Sequence, residues 1–184
     1  MNRYVMVDVE TDGPVPGLYS MIQVGAVIVE PGLSRTFRAD LAPIGPHFLP
    51  STLSVTKLTR EETLGFPSAM RAMENFHYWL LDNDFECGSK ERFSKKSPIF
   101  ISDNNGFDFA FVSYYFWFYR ESCPFGHSSR NLGDLYKGIM KTTKVNFKHL
   151  RRTKHTHDPL DDAMGNAEAL LTIIERHGLV GIID

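Results

Sequence analysis

Cysteine is nearly absent: Cys87 and Cys123 are the only two in 184 residues, and they form no CxxC pair. So sparse a pair is no disulfide framework, and both thiols read as reduced and structural, the pattern of a cytoplasmic protein. Cys123 with His127 makes at most half a zinc site, because no second pair accompanies it. Long apolar runs are missing too. The aromatic stretch from Phe109 to Tyr119 is too short for a membrane span and ends at Arg120-Glu121. Met1-Asn2-Arg3-Tyr4 leads straight into a strand-like segment, without the apolar region of a secretion signal. No membrane partner is expected. Nor does one sign of charge dominate: 20 Lys and Arg stand against 22 Asp and Glu, a net charge of -2. That weakens a pure nucleic-acid-binding module, which would carry a basic field, more than an enzyme whose bound metals supply positive charge locally. Repeats, low-complexity tracts and linkers are absent, so residues 1–184 are expected to form a single domain.

What is present is an alternation of strand and helix signals. Tyr4 to Val9 reads as a buried strand with acids arriving at its end, and Thr11-Asp12-Gly13-Pro14 is turn chemistry. Met21 to Glu30 and Ser34 to Ala39 read as two strands joined in a hairpin by Pro31-Gly32. Leu41 to Pro50 is loop-like, and Thr59 with Glu62 three positions on marks a helix start. An amphipathic helix follows from about Phe66 to Leu81, with Met70, Met73, Phe76, His77 and Leu80 on one face. Residues 82–97 lose periodicity and read as an exposed, mobile loop carrying Lys90, Arg92, Lys95 and Lys96. Pro98 to Ser102 is predicted as a central strand. Helices are predicted over Phe107–Tyr119, Asn131–Met140, Phe147–Arg152 and Pro159–His177, the last ended by Gly178. The order β-β-β-α-β-α-α predicts an α/β domain with a mixed sheet, an antiparallel hairpin beside a parallel pair.

Acidic residues gather in three places. In Asp8-Val9-Glu10 the strand period puts both carboxylates on one face, where they repel each other unless a divalent cation relieves them. After the strand at 98–102 comes Ser102-Asp103-Asn104-Asn105-Gly106-Phe107-Asp108, with Asp108 in the first turn of a helix. His157-Asp158-Pro159-Leu160-Asp161-Asp162 opens the last helix, where Leu160, Ala163, Ala167 and Leu170 form its buried stripe and Asp162 adjoins it. Each stretch taken alone has an ordinary explanation, as solvated acids or helix caps. Their order and contexts taken together do not.

The chain resembles the DEDDh group of 3′–5′ exonucleases, the proofreading-exonuclease superfamily with a ribonuclease-H-like fold. The motifs are VDVETDG at Val7–Gly13, DNNGFDFAFV at Asp103–Val112 and HDPLDDA at His157–Ala163. The resemblance implies a mixed central sheet with helices on both faces. It also implies two divalent ions, Mg²⁺ or Mn²⁺, held by Asp8, Glu10, Asp108 and Asp162, with His157 as general base. The five-position step from His157 to Asp162 marks the histidine subgroup, and Asp161 falls one position early. Asp103 is a departure, since relatives often carry histidine there. Implied partners are 3′ ends of single-stranded RNA or DNA, released as nucleoside 5′-monophosphates. Thr11 (through its backbone), Leu58 and Asn104 are candidate substrate contacts. His157-Asp158 is also a signature of HD phosphohydrolases, but no suitably placed histidine and final aspartate accompany it.

Two basic clusters stand out, Lys90 to Lys96 and the group Lys148, Arg151, Arg152 and Lys154. Arg152 and Lys154, adjacent to His157, are candidate contacts to a nucleic-acid backbone. The helix at 107–119 holds more aromatics than one core should bury, so the excess either faces a partner chain or stacks nucleic-acid bases, and a homodimer through that face is the preferred reading. Two other functions compete: a phosphodiesterase on short oligonucleotides or signalling dinucleotides, and a non-catalytic nucleic-acid-binding subunit. The complete acid set argues against the second.

Overall fold

The structure is a computed structural model describing residues 3–87 and 96–180. Five strands, β1 (Arg3–Thr11), β2 (Met21–Ile28), β3 (Thr36–Asp40), β4 (Pro98–Ser102) and β5 (Ser129–Asn131), lie in the order β3-β2-β1-β4-β5. β1 pairs antiparallel with β2 and parallel with β4; β2–β3 is antiparallel and β4–β5 parallel. The mixed sheet is therefore the expected one, with β1 at its centre. At the end of β1 the register steps between Glu10 and Thr11, so that Ile22 of β2 is left out of the pairing. Such an extra residue bends a strand and re-aims side chains.

The helices are α1 (Pro50–Leu53), α2 (Arg60–Leu64), α3 (Ala69–Asp82), α4 (Asn105–Arg120), α5 (Leu132–Met140) and α6 (Pro159–His177). α2 starts at the Thr59–Glu62 capping box read from sequence. Odd-numbered residues of β1 (Val5, Val7 and Val9) enter a core with α3 and α4, where Phe76, Phe111, Tyr115 and Phe116 are buried. Even-numbered Met6 enters a second core with Leu132, Ala163, Ala167, Leu170 and Ile173 of α5 and α6. Helices thus cover both faces. On α3 the buried side is Ala69, Ala72, Met73, Phe76 and Leu80, while Met70, expected there, is half exposed.

Three elements differ from the sequence reading. β5 is three polar residues, Ser-Arg-Asn, without the alternation that signals a strand. α1 is a single four-residue turn, and the helix expected at Phe147–Arg152 shrinks to a 3-10 turn over Lys148–Leu150. Of the loop at 82–97, Lys90, Arg92 and Lys95 lie outside the described residues; Lys96 faces Glu86 at 3.7 Å. Most of the aromatic series at 107–119 is absorbed by the chain itself, and Trp117 and Phe118 remain substantially exposed. No helix among the described residues is long and apolar enough to cross a membrane.

One packing contact fixes where α6 begins. Gly25 of β2 pairs with Asp8 of β1, and a Cβ on Gly25 would stand 2.3 Å from the carbonyl carbon of Pro159 and 2.4 Å from the Leu160 nitrogen. Those are backbone atoms, so they cannot swing aside. Gly25→Ala is expected to lower stability by about 1–3 kcal/mol or more through overpacking. Urea denaturation checks it, and a variant as stable as the parent would show that α6 does not rest on this glycine.

Candidate active site

Asp8 and Glu10 project from the face of β1 that looks toward α6, two positions apart as the strand period requires. Asp162 comes down from the first turn of α6 and is 2% exposed. The ligand oxygens of Asp8, Glu10 and Asp162 all lie within 4.8 Å of one another. A second trio with the same spacing joins Asp8 to Asp103 and Asp108. The four acids singled out in the sequence are therefore gathered, Asp8 common to both trios, and Asp103 joins them as a fifth.

Local structure explains how each arrives. Asp108 sits in the first turn of α4, its backbone N–H donating to the Asn104 carbonyl at 3.0 Å. Asn131 Nδ2 donates to the Asp103 carbonyl and to Asn105 Oδ1, both at 3.0 Å, locking the turn before α4 onto β5. Asn131 also caps α5, accepting the Asp134 N–H at 2.7 Å. Asp158 caps α6 through Oδ1, which accepts the Leu160 N–H at 2.9 Å, while its Oδ2 accepts from Arg38 Nε at 3.0 Å. On the other side of β1, Asp12 is fully buried and accepts from Arg60 Nη1 at 2.7 Å, which ties the loop after β1 to α2.

The gathered charge perturbs its members. Burial, then repulsion from Asp108, Glu10 and Asp162, pushes the Asp8 carboxyl well above the usual carboxylate range. Glu10 is pushed up to about 8, by burial first and then by Asp162 and Asp108. Asp108 rises to about 7, by burial first, with Ser102 opposing the rise and Asp103 adding to it. Asp108 Oδ2 and Asp162 Oδ2 are buried oxygens without a hydrogen-bond donor. Buried carboxylate oxygens left unsatisfied, in an all-oxygen cluster, suit a hard divalent cation such as Mg²⁺ or Mn²⁺.

His157 lies on the loop before α6 with its Nδ1 3.9 Å from Glu10 Oε1, and 41% of its side chain is exposed. Its backbone is left-handed, φ +61°, a strained conformation for a residue with a Cβ. The sequence reading missed His155. It lies two positions earlier, in ring contact with His157 at 4.2 Å between centroids, and its Nδ1 is 2.7 Å from Asp162 Oδ2. Only its place two residues from His157 hinted at this.

Of the remaining candidates, Thr11 is buried and its hydroxyl donates to the Gly13 carbonyl at 3.0 Å. Leu58 is half-buried; Asn104, Arg152 and Lys154 are exposed. Arg151, read as part of an exposed basic cluster, turns inward: its side chain is 8% exposed and Nη2 donates to Asp103 Oδ2 at 3.3 Å.

A ribonuclease-H-like sheet, with carboxylates gathered at one end of its central strand and a histidine at their rim, has the donor set that metal-assisted phosphodiester hydrolysis requires. Known proteins agree. Over 182 residues the chain is 32% identical to the 3′–5′ DNA exonuclease Cap18 of Escherichia coli, covering 94% of this chain and 91% of that protein. The nuclease domain of 3′hExo, a DEDDh family member solved with rAMP bound, superposes with a TM-score of 0.73 at 14% identity, over 95% of this chain and 92% of that one. Escherichia coli exonuclease I, solved with a dT13 oligonucleotide, gives 0.68 at 15% identity, over 96% of this chain and 42% of that one. No family model matches the chain. The chain belongs to the DEDDh 3′–5′ exonucleases. It is accordingly a nuclease, and its gathered carboxylates are an oxygen donor set able to hold a divalent metal ion.

The raised pKa values set a pH dependence for the metal-free protein. Between the ordinary pKa and the folded one, 4.5 to about 8 for Glu10 and 3.8 to about 7 for Asp108, the unfolded chain releases protons that the folded chain keeps. Fewer protons on the unfolded state means that stability falls as pH rises through this window. Calorimetry in a chelator should therefore show a lower melting temperature at pH 8 than at pH 5. Mg²⁺ or Mn²⁺ should raise it most at pH 8, and Asp8→Ala should lose most of that gain. An undiminished ion-induced rise in Asp8→Ala would remove Asp8 from the site.

Proposed function

We propose that the chain shortens single-stranded nucleic acid from its 3′ end, releasing nucleoside 5′-monophosphates, with His157 as general base. The observation that carries this is the meeting of Asp8, Glu10, Asp108 and Asp162 at one end of β1 with His157 at their edge. Asp8, Glu10 and Asp162 would hold one cation and Asp8 with Asp108 a second, Asp8 being shared by the two trios. Divalent ions bound there supply the positive charge that acidifies a water and stabilises the phosphoryl oxygens.

The chain's own groups do the rest. The His157 imidazole stands on a solvent-accessible loop with its Nδ1 3.9 Å from Glu10 Oε1, within reach of the carboxylates. It accepts the proton of the attacking water, then passes it to solvent. Leu58, half-buried in the segment between α1 and α2, offers an apolar face to the terminal base, and the Thr11 backbone borders the same end of β1. Asn104 is exposed at the start of α4, and Arg152 and Lys154 are exposed beside His155, where they can follow the phosphate backbone. DNA is the substrate to try first, since the 32% identical relative is a DNA exonuclease.

We read residues 1–184 as one exonuclease domain. Both cysteines are free thiols, as suits a cytoplasmic protein. A homodimer through α4 would rest on Trp117 and Phe118, because the other aromatics of that helix pack largely within the chain.

Incubating 5′-labelled single-stranded DNA and RNA with Mg²⁺ or Mn²⁺ tests the reading. A ladder shortening from the 3′ end with mononucleotide product is expected, a 3′ phosphate should stall it, and a 5′ phosphate should matter little. Cutting of a closed circular strand would show internal cleavage and overturn the exonuclease reading. His157→Ala should lower turnover by roughly 10²–10⁴-fold while leaving ion-induced stabilisation largely intact. Unimpaired turnover in that variant would displace His157 from the role of base.

A further inference from the structure

His155 has no part in the chemistry described above, yet the fold holds it firmly in place. The loop bearing both histidines is tied to α6 at several points. Glu168 Oε2 accepts the N–H groups of Arg152 at 2.8 Å and Thr153 at 2.7 Å. Thr156 N–H donates to Asp162 Oδ1 at 3.2 Å, and the Thr156 hydroxyl donates to Asp161 Oδ2 at 2.8 Å. Gly165 makes the seat for this loop, since a Cβ there would stand 2.8 Å from the Thr153 carbonyl oxygen. His155 and His157 flank Thr156 and turn their rings together, 4.2 Å apart and steeply inclined.

The two imidazoles converge on one carboxylate. Ligand atoms of His155, His157 and Asp162 all lie within 4.8 Å of one another. Asp162 Oδ2 is buried and has no hydrogen-bond partner; His155 Nδ1 approaches to 2.7 Å without making an aligned hydrogen bond. Both histidines keep about half of their side-chain surface open to solvent, 51% and 41%, so an ion can enter from outside.

We propose that His155, His157 and Asp162 form a further cation site, separate from the carboxylate cluster and selective for Zn²⁺, that holds the enzyme inactive when filled. Two imidazole nitrogens and one carboxylate oxygen are a donor set for a borderline transition metal, with a fourth position left for water. Mg²⁺ prefers oxygen ligands in octahedral array and has little use for this set. A zinc ion here occupies the His157 imidazole and takes Asp162 from the carboxylate cluster. The inhibitory effect rests on the reading of His157 as the base and Asp162 as a metal ligand; the zinc site itself does not.

The test measures binding and activity separately. Zn²⁺ is titrated into the metal-free full chain against a chromophoric chelator, for the parent, His155→Ala, His155→Asn and Asp8→Ala. Mg²⁺-supported digestion of a 5′-labelled strand is followed at rising Zn²⁺ in parallel, and melting curves confirm that each variant is folded. Both His155 variants should bind Zn²⁺ roughly tenfold to a hundredfold more weakly. Their inhibitory Zn²⁺ concentration should rise by the same factor. Asparagine retains an N–H able to donate to Asp162 but is a poor zinc ligand, so its loss of zinc separates ligation from positioning. Asp8→Ala should retain the site. Zinc binding that survives in both His155 variants, or that vanishes in Asp8→Ala, would place the ion in the carboxylate cluster and overturn the proposal. A parent protein without Mg²⁺-supported activity would refute the exonuclease reading, while the binding arm would still decide the zinc site.

Discussion

The first turn of α6 rests on the backbone of Gly25, and the arrangement of the catalytic end follows from that contact. Gly25 is the pairing partner of Asp8, so the bare spot on β2 lies directly beside the first carboxylate. Any side chain there would lift Pro159 and Leu160 off the sheet and carry Asp162 and the histidine loop with them. Because the contact is backbone to backbone, it tolerates little slack. The result is a set of like charges gathered closer than they would choose to be.

That crowding is opposed by everything around it. Two hydrophobic cores, one on each face of the sheet, hold β1 rigid while its carboxylates repel. Asn131 fixes the turn that delivers Asp108, and Arg60 neutralises buried Asp12 on the loop after β1. Arg151 supplies a buried positive charge against Asp103, the residue that departs from the family pattern. The arginine offsets the extra acid, so the departure leaves the cluster's overall charge nearer to what four acids would give. Preorganisation of this kind lets a site hold its ligands unpaired in the free protein.

The acids and histidines divide the site by exposure. Asp108 and Asp162 are almost wholly buried, whereas His155 and His157 sit at the solvent side on a loop fastened by Glu168, Thr156 and Asp158. Buried oxygens select cations by charge and hardness, and a rim imidazole exchanges protons with water; each needs the environment it has. The proposed hydrolysis at a chain end would use both. His157 has a left-handed backbone, φ +61°, and its ring lies 4.2 Å from that of His155.

Much of this was legible in the sequence because it rests on local rules. The alternation of Asp8 and Glu10 comes from the strand period, the start of α2 from a capping box, and the start and end of α6 from Pro159 and Gly178. The three motifs in order sufficed to name the family. Other features depended on neighbours remote in sequence. β5 has no hydrophobic signature and exists because β4 offers it an edge. Arg151 looked like one more surface cation until Asp103, 48 positions away, was found to pair with it. Met70 followed the helical period yet faces out, since the small alanines at 69 and 72 are what lie against the core. His155 is indistinguishable in sequence from a solvated loop histidine, and only the seating of its loop on Gly165 and Glu168 brings it to Asp162. The sequence alone determined which chemistry the chain carries, because residue type and spacing decide ligand sets. The tertiary structure alone decided which of those residues meet, because contacts between distant segments are set by packing.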